Sequence, residues 1–181
     1  MTALSAPKRH RMQLDSASRE AEGYLELGMH KQALGSLQRR GKLVHGDHRA
    51  SYLLGECLRE MSRFGEALFP LRRSAELNPE TSETWLALGW CYKRTGRLGD
   101  AIRALEDALR HTPDDALLNY NLACYYSLAD CRLPALRRLK RAFDLDRSLR
   151  DLVAGESDFA PLRSDPGFRM LMAATQAPPR D

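Results

Sequence analysis

Shifting this sequence against itself by 34 residues brings like residues into register four times, and that period limits the possible folds more than any other feature. The clearest unit is residues 82–115. There Trp85, Leu88, Gly89 and Tyr92 follow one another at helical spacing, so they share one face of a helix. Gly96 breaks that helix. Ala101, Leu105 and Ala108 mark a second one, Pro113 ends the unit, and Asp114 and Asp115 stand where they can cap the next helix. One period earlier, residues 48–81 place Ser51, Leu54, Gly55 and Leu58, then Ala67, Leu71, Ser74 and Pro79. One period later, residues 116–149 place Asn119, Leu122, Ala123 and Tyr126, then Ala135, Leu139 and Ala142. The first unit, 14–47, keeps Ala21, Tyr24, Gly28, Ala33 and Leu37, but Glu20 takes an apolar position and Arg40 a small one. End repeats depart in this way because one of their faces meets solvent.

The pattern has a packing logic. Ala21, Gly55, Gly89 and Ala123 form one row of small residues, and Ala33, Ala67, Ala101 and Ala135 form another. Small side chains let two helices approach closely, and the bulkier Trp85, Tyr92 and Tyr126 fill the space beside them. A glycine inside a helix costs roughly 1 kcal/mol against alanine, so Gly55 and Gly89 predict contacts that leave no room for a methyl group.

Residues 82–115 resemble the tetratricopeptide repeat, matching its W-x2-L-G-x2-Y…A-x3-F…A…P signature with Leu105 in the aromatic slot. The resemblance implies an all-α fold, a right-handed α-solenoid of four 34-residue helix–turn–helix repeats (14–47, 48–81, 82–115 and 116–149). Residues 150–173 fall outside the period yet carry Leu152, Val153, Phe159, Leu162, Phe168, Leu171 and Met172, with Asp165 and Pro166 reading as a helix start. This stretch resembles, in part, a segment that closes some bacterial arrays, with Glu156 in place of its first aspartate. It is expected to cap the apolar face of the fourth repeat. Residues 1–13 and 174–181 are expected to be tails.

In the resembled family the second, fifth, ninth and twelfth positions of each first helix line a concave groove that binds partners. Carried over, the groove holds Arg49, Tyr52, Glu56 and Arg59, then Glu83, Leu86, Trp90 and Lys93, then Leu117, Tyr120, Cys124 and Ser127 with Asn121 beside them. Tyr52, Trp90 and Tyr120 would form an aromatic track, a composition typical of protein-binding surfaces; the alternative is that Trp90 and Tyr120 pack against neighbouring first helices. Some family members clamp a partner's C-terminal carboxylate with Lys and Asn. The clamp positions hold Ser18, Glu22, Leu53, Glu83 and Ala87 here, or Tyr52, Glu56, Ala87, Leu117 and Asn121 one unit later, so that mechanism is not expected.

Charge argues the same way. Net charge is +3 over residues 1–47, 0 over 48–81, −1 over 82–115, +3 over 116–149 and −1 over 150–181, which is no continuous basic surface for nucleic acid. Arg137, Arg138, Lys140 and Arg141 read as a solvated face, and no aromatics interleave with them for base stacking. His45, Asp47 and His48 read as a polar turn with no third strong metal ligand nearby. Cys57, Cys91, Cys124 and Cys131 form no C-x-x-C pair and read as buried free thiols. No phosphate loop, nucleophile elbow or H-E-x-x-H occurs, so no catalytic residue, metal or cofactor is expected. With no export signal and no long apolar run, the expected compartment is the cytoplasm, without membrane contact. The function expected is therefore a protein-interaction scaffold for a protein or peptide partner. The alternatives are an assembly chaperone for secreted or membrane-complex subunits and, behind it, a nucleic-acid-associated subunit.

Overall fold

The computed structural model describes residues 6–174, and every regular element among them is a helix. In chain order these are α1 (Ala6–Glu26), α2 (His30–Gln38), α3 (His48–Glu60), α4 (Phe64–Leu77), α5 (Ser82–Arg94), α6 (Leu98–His111), α7 (Ala116–Leu128), α8 (Arg132–Leu145), α9 (Leu149–Val153) and α10 (Pro166–Ala174). Short 3-10 turns occupy Gly41–Gly46 and Ser157–Leu162. The chain divides into two compact units, Met1–Arg97 and Leu98–Asp181. Of the expected tails, residues 1–5 and 175–181 lie outside the described residues. Residues 6–13 are not a tail but the start of α1. The period missed them because it registers only packed positions, and residues 8–13 are all exposed.

Four turns share one device. Gly28, Ser62, Gly96 and Asp130, spaced 34 residues apart, all take left-handed backbone, with φ of 68°, 58°, 74° and 56°. After each, the next amide reaches back five residues: Met29 N–H to the Tyr24 carbonyl at 2.8 Å, Arg63 to Leu58 at 2.8 Å, Arg97 to Tyr92 at 2.9 Å and Cys131 to Tyr126 at 2.8 Å. This closes the helix by satisfying carbonyls that would otherwise be left without a partner. Gly28 and Gly96 suit the conformation, whereas Ser62 and Asp130 hold it against the clash of their own Cβ.

In the first unit α1 packs on α2, α3 on α4 and α4 on α5, while α1 touches α3 and α3 touches α5. A close approach occurs at Gly55, where an added Cβ would lie 2.5 Å from Leu71 Cγ and Cδ2, and Leu71 is itself fully buried. α2 spans nine residues where α4 spans 14. It stops before Arg40, the residue found at a small position, and Gly41 turns left-handed there with φ 54°.

The second unit packs α6 on α7, α7 on α8, and the segment after α8 onto both of the latter. Phe159 is completely buried and meets the Tyr120 ring edge-on at 5.6 Å. Phe168 lies 5.8 Å from Phe159, and the Asp165 carboxylate caps α10 by accepting from Phe168 N–H at 3.0 Å. Leu149, Val153 and Leu162 are buried with them, although Leu152 points outward.

The residues preceding each repeat boundary are tied down by side chains at equivalent positions. Ser51 Oγ donates to the Val44 carbonyl at 2.9 Å, Trp85 Nε1 to Pro79 at 2.8 Å and Asn119 Nδ2 to Pro113 at 3.3 Å. Trp85 is thus half-buried and anchored by its indole N–H, with a polar role beyond space filling.

Three stability outcomes follow. Gly55→Ala should lower stability by about 1–2 kcal/mol, since overpacking against Leu71 outweighs the helix-propensity gain, while Ser62→Gly should raise it by about 0.5–1 kcal/mol by removing the left-handed strain. Urea melts of the two variants check the opposite signs. Deleting residues 150–181 should uncover Tyr120 and the apolar face of α7, giving a lower melting temperature by calorimetry and self-association by sedimentation.

Candidate partner-binding site

The residues brought together in the first unit come from the outward face of α3 and α5 and from the start of α4. Trp90 is half-buried on α5. The Phe64 ring meets it edge-on at 5.0 Å, and two guanidinium groups lie over it, Arg59 at 5.4 Å and Arg94 at 5.3 Å from the ring centre. Arg94 also lies 5.0 Å from the Phe64 ring. Each such cation–ring contact contributes about 0.5–1 kcal/mol at an exposed site, and together they fix the tryptophan with part of its surface open.

Of the residues placed in the groove by sequence, Arg59 joins this cluster directly, and the others of the first unit lie on the same two helices, α3 and α5. Arg59 donates to Glu56 through Nε at 2.9 Å and Nη2 at 2.8 Å, and to Glu60 at 2.5 Å. Those carboxylates hold its charge, the hydrogen bond to Glu56 contributing most. Tyr52, one turn before Glu56, is half-buried. Burial first, and the Glu56 charge second, push its phenol up to about 12. Arg49 pairs with Glu22 of α1 through both ends of its guanidinium, the Nε contact being 2.7 Å. Leu86 and Lys93 are half-buried on α5, and Glu83 is exposed in its first turn.

In the second unit the expectation fails in part. Tyr120 and Cys124 are buried, with 5% and 2% exposure, because the segment after α8 folds over α7 and seats Phe159 on Tyr120. Burial raises the Tyr120 phenol well above its ordinary value. Neither residue offers surface, so the aromatic track loses its third member. Leu117 is exposed, and Asn121 spends its amide on the Leu117 carbonyl at 2.9 Å. Phe64 and Arg94 are the residues that sequence reasoning missed. Trp90 and Arg94 are four apart on one helix, a spacing that brings side chains together, and that was the available signal.

The other polar clusters serve the scaffold. Asp47 caps α3 by accepting from Ala50 N–H at 2.8 Å, and His45 packs edge-on to Phe69 at 5.0 Å. Asp115 caps α7 in the same way at 2.8 Å, while Asp114 pairs with Arg141. Within the basic run, Lys140 pairs with Asp144 at 2.7 Å and Arg138 donates to Asn119 at 3.2 Å. With Lys140 and Arg141 matched by carboxylates, the run keeps less free charge for a polyanion. Among the described residues no three His, Cys, Asp or Glu side chains group as metal ligands, and no helix is long and apolar enough to cross a membrane.

The tetratricopeptide repeat family profile matches residues 58–123. Solved structures of similar fold include that of MamA, 21% identical with a TM-score of 0.69, covering 76% of this chain and 81% of MamA. Over residues 58–123 the chain matches the tetratricopeptide repeat, and its fold is that of tetratricopeptide-repeat proteins. A second structure of similar fold is that of YrrB, described as a TPR protein with an unusual peptide-binding site, 24% identical with a TM-score of 0.66 and covering 75% of this chain and 70% of YrrB. No curated protein matches the sequence.

The repeat also explains the thiols. Cys57 and Cys91 occupy equivalent buried positions, and burial pushes them up to about 12 and about 11. Such thiols stay protonated at neutral pH and are not nucleophiles. Cys131, expected to be buried, is exposed because it directly follows the left-handed Asp130 turn. A disulfide reagent at pH 8 should therefore modify Cys131 quickly in the native protein, and Cys57, Cys91 and Cys124 only after denaturant is added. Fast modification of Cys57 or Cys91 in the native state would contradict the packing of α3 and α5.

Proposed function

We propose that this tetratricopeptide-repeat protein is an interaction scaffold that holds a segment of a protein partner against the outward face of α3 and α5. The observation that carries the reading is Trp90, a large aromatic side chain held half-open by Phe64, Arg59 and Arg94. Ordering such a side chain before a partner arrives lowers the entropy lost on binding, and tryptophan and arginine dominate binding hot spots. The ion pairs of Arg49 and Arg59 pre-position the surrounding charges in the same way. The description of YrrB as a peptide-binding repeat protein agrees with this use of the fold. The clustered carboxylates and arginines pair with one another, which favours a scaffold over a catalyst.

The test compares partners captured by the tagged full-length chain and by its variants. Trp90→Ala should weaken a captured partner by about tenfold or more, equivalent to about 1.4 kcal/mol, with its helical circular dichroism retained. Arg137→Glu with Arg141→Glu, on α8 of the second unit, should leave the affinity nearly unchanged. Binding lost with the α8 pair and kept in Trp90→Ala would place the site elsewhere.

A further inference from the structure

Along the outward face of α5, Glu83, Leu86, Trp90 and Arg94 form a single stripe, since eleven residues make about three helical turns. The two ends of that stripe differ from the charges around it. Arg49, Arg59, Arg63 and Arg73 all pair with carboxylates. Glu83 and Arg94 form no ion pair with any described residue; Glu83 is exposed, and Arg94 is also exposed, its guanidinium lying over the Phe64 and Trp90 rings. α5 thus offers an open anion at its first turn and an open cation at its last, roughly 16 Å apart at about 1.5 Å per residue, with Leu86 and Trp90 between them.

We propose that this stripe docks an amphipathic helix of the partner lying antiparallel to α5, with acidic residues in its first turn and basic residues in its last. The inference rests on the scaffold reading above. Charge complementarity selects the direction. In the antiparallel orientation the partner's first turn lies at Arg94 and its last turn at Glu83. Helices carry acidic residues at their start and basic ones at their end, because these match the helix dipole. The same charges that stabilise the partner helix then pair with the two open ends of α5. A parallel helix of that kind would set acid against Glu83 and base against Arg94. Apolar side chains at helical spacing in the middle of the partner would meet Leu86 and Trp90, one turn apart.

Two lactam-locked helical peptides of about 14 residues test this, a length that spans the stripe with a turn to spare. They share one composition, with Leu and Phe on one face and blocked ends. One begins with two Glu and ends with two Lys; the other reverses the charges. Titrated calorimetrically into the full chain at low salt, the acid-first peptide should bind about tenfold tighter, because the other must either face like charges at both ends or lie parallel to α5 with the two helix dipoles aligned. In the Glu83→Lys/Arg94→Glu double variant the preference should invert, an outcome that peptide helicity alone does not produce. Equal affinity for both peptides, with binding lost in Trp90→Ala, would overturn the antiparallel assignment and leave the scaffold reading standing. Binding of either peptide that survives Trp90→Ala would overturn the scaffold site itself. Binding of neither would overturn the helical partner.

Discussion

A methyl group at position 55 would sit 2.5 Å from Leu71, and the pairing of α3 with α4 depends on its absence. Helices held that close bury Ala67, Leu71 and Ala75 on one side and Leu54 and Leu58 on the other, leaving little space for rearrangement. The tight pair also decides which residues are left outside. With the inner face of α3 consumed by α4, Tyr52, Glu56 and Arg59 turn outward, where Arg59 reaches Trp90 on α5. The half-open surface around Trp90 is therefore a by-product of the packing rule, and its position follows from the small residue that allows the approach.

Much of this was legible in the sequence because the small positions announce themselves. Gly55, Ala67 and Leu71 lie where the period requires, and Gly28 and Gly96 mark turns by their chemistry alone. Ser62 and Asp130 adopt the same left-handed geometry without a residue that advertises it. They do so because the surrounding helix pair fixes the turn, and tertiary packing here overrides local preference. Cys131 was misplaced for the same reason: its exposure is set by the turn beside it, and nothing in the residue type reveals that.

The site was legible only as far as the helix faces. Position within the period placed Arg59, Glu83, Leu86 and Trp90 on the outward side of their helices, and burial agrees for those four. It gave no warning that Tyr120 and Cys124 would be covered, since the covering residue, Phe159, lies far along the chain and outside the period. Nor did it find Phe64, which joins Trp90 from the first residue of a second helix. A periodic pattern describes what repeats, while binding surfaces are built from what does not.

The packing partners of each helix lie close to it along the chain: α3 meets α1, α2, α4 and α5, and α7 meets α6, α8 and the segment that follows. Contacts of short sequence separation require only short loops to close, so little chain entropy is lost before they form. Folding can then begin at any adjacent helix pair and spread outward, on the microsecond-to-millisecond scale of helical proteins rich in local contacts. The worn first pair, with its shortened α2 and its Arg40, is the natural place for that process to run in reverse. Fraying there would leave Trp90 and Phe64 in place, so the surface proposed above can outlast the end of the array that precedes it.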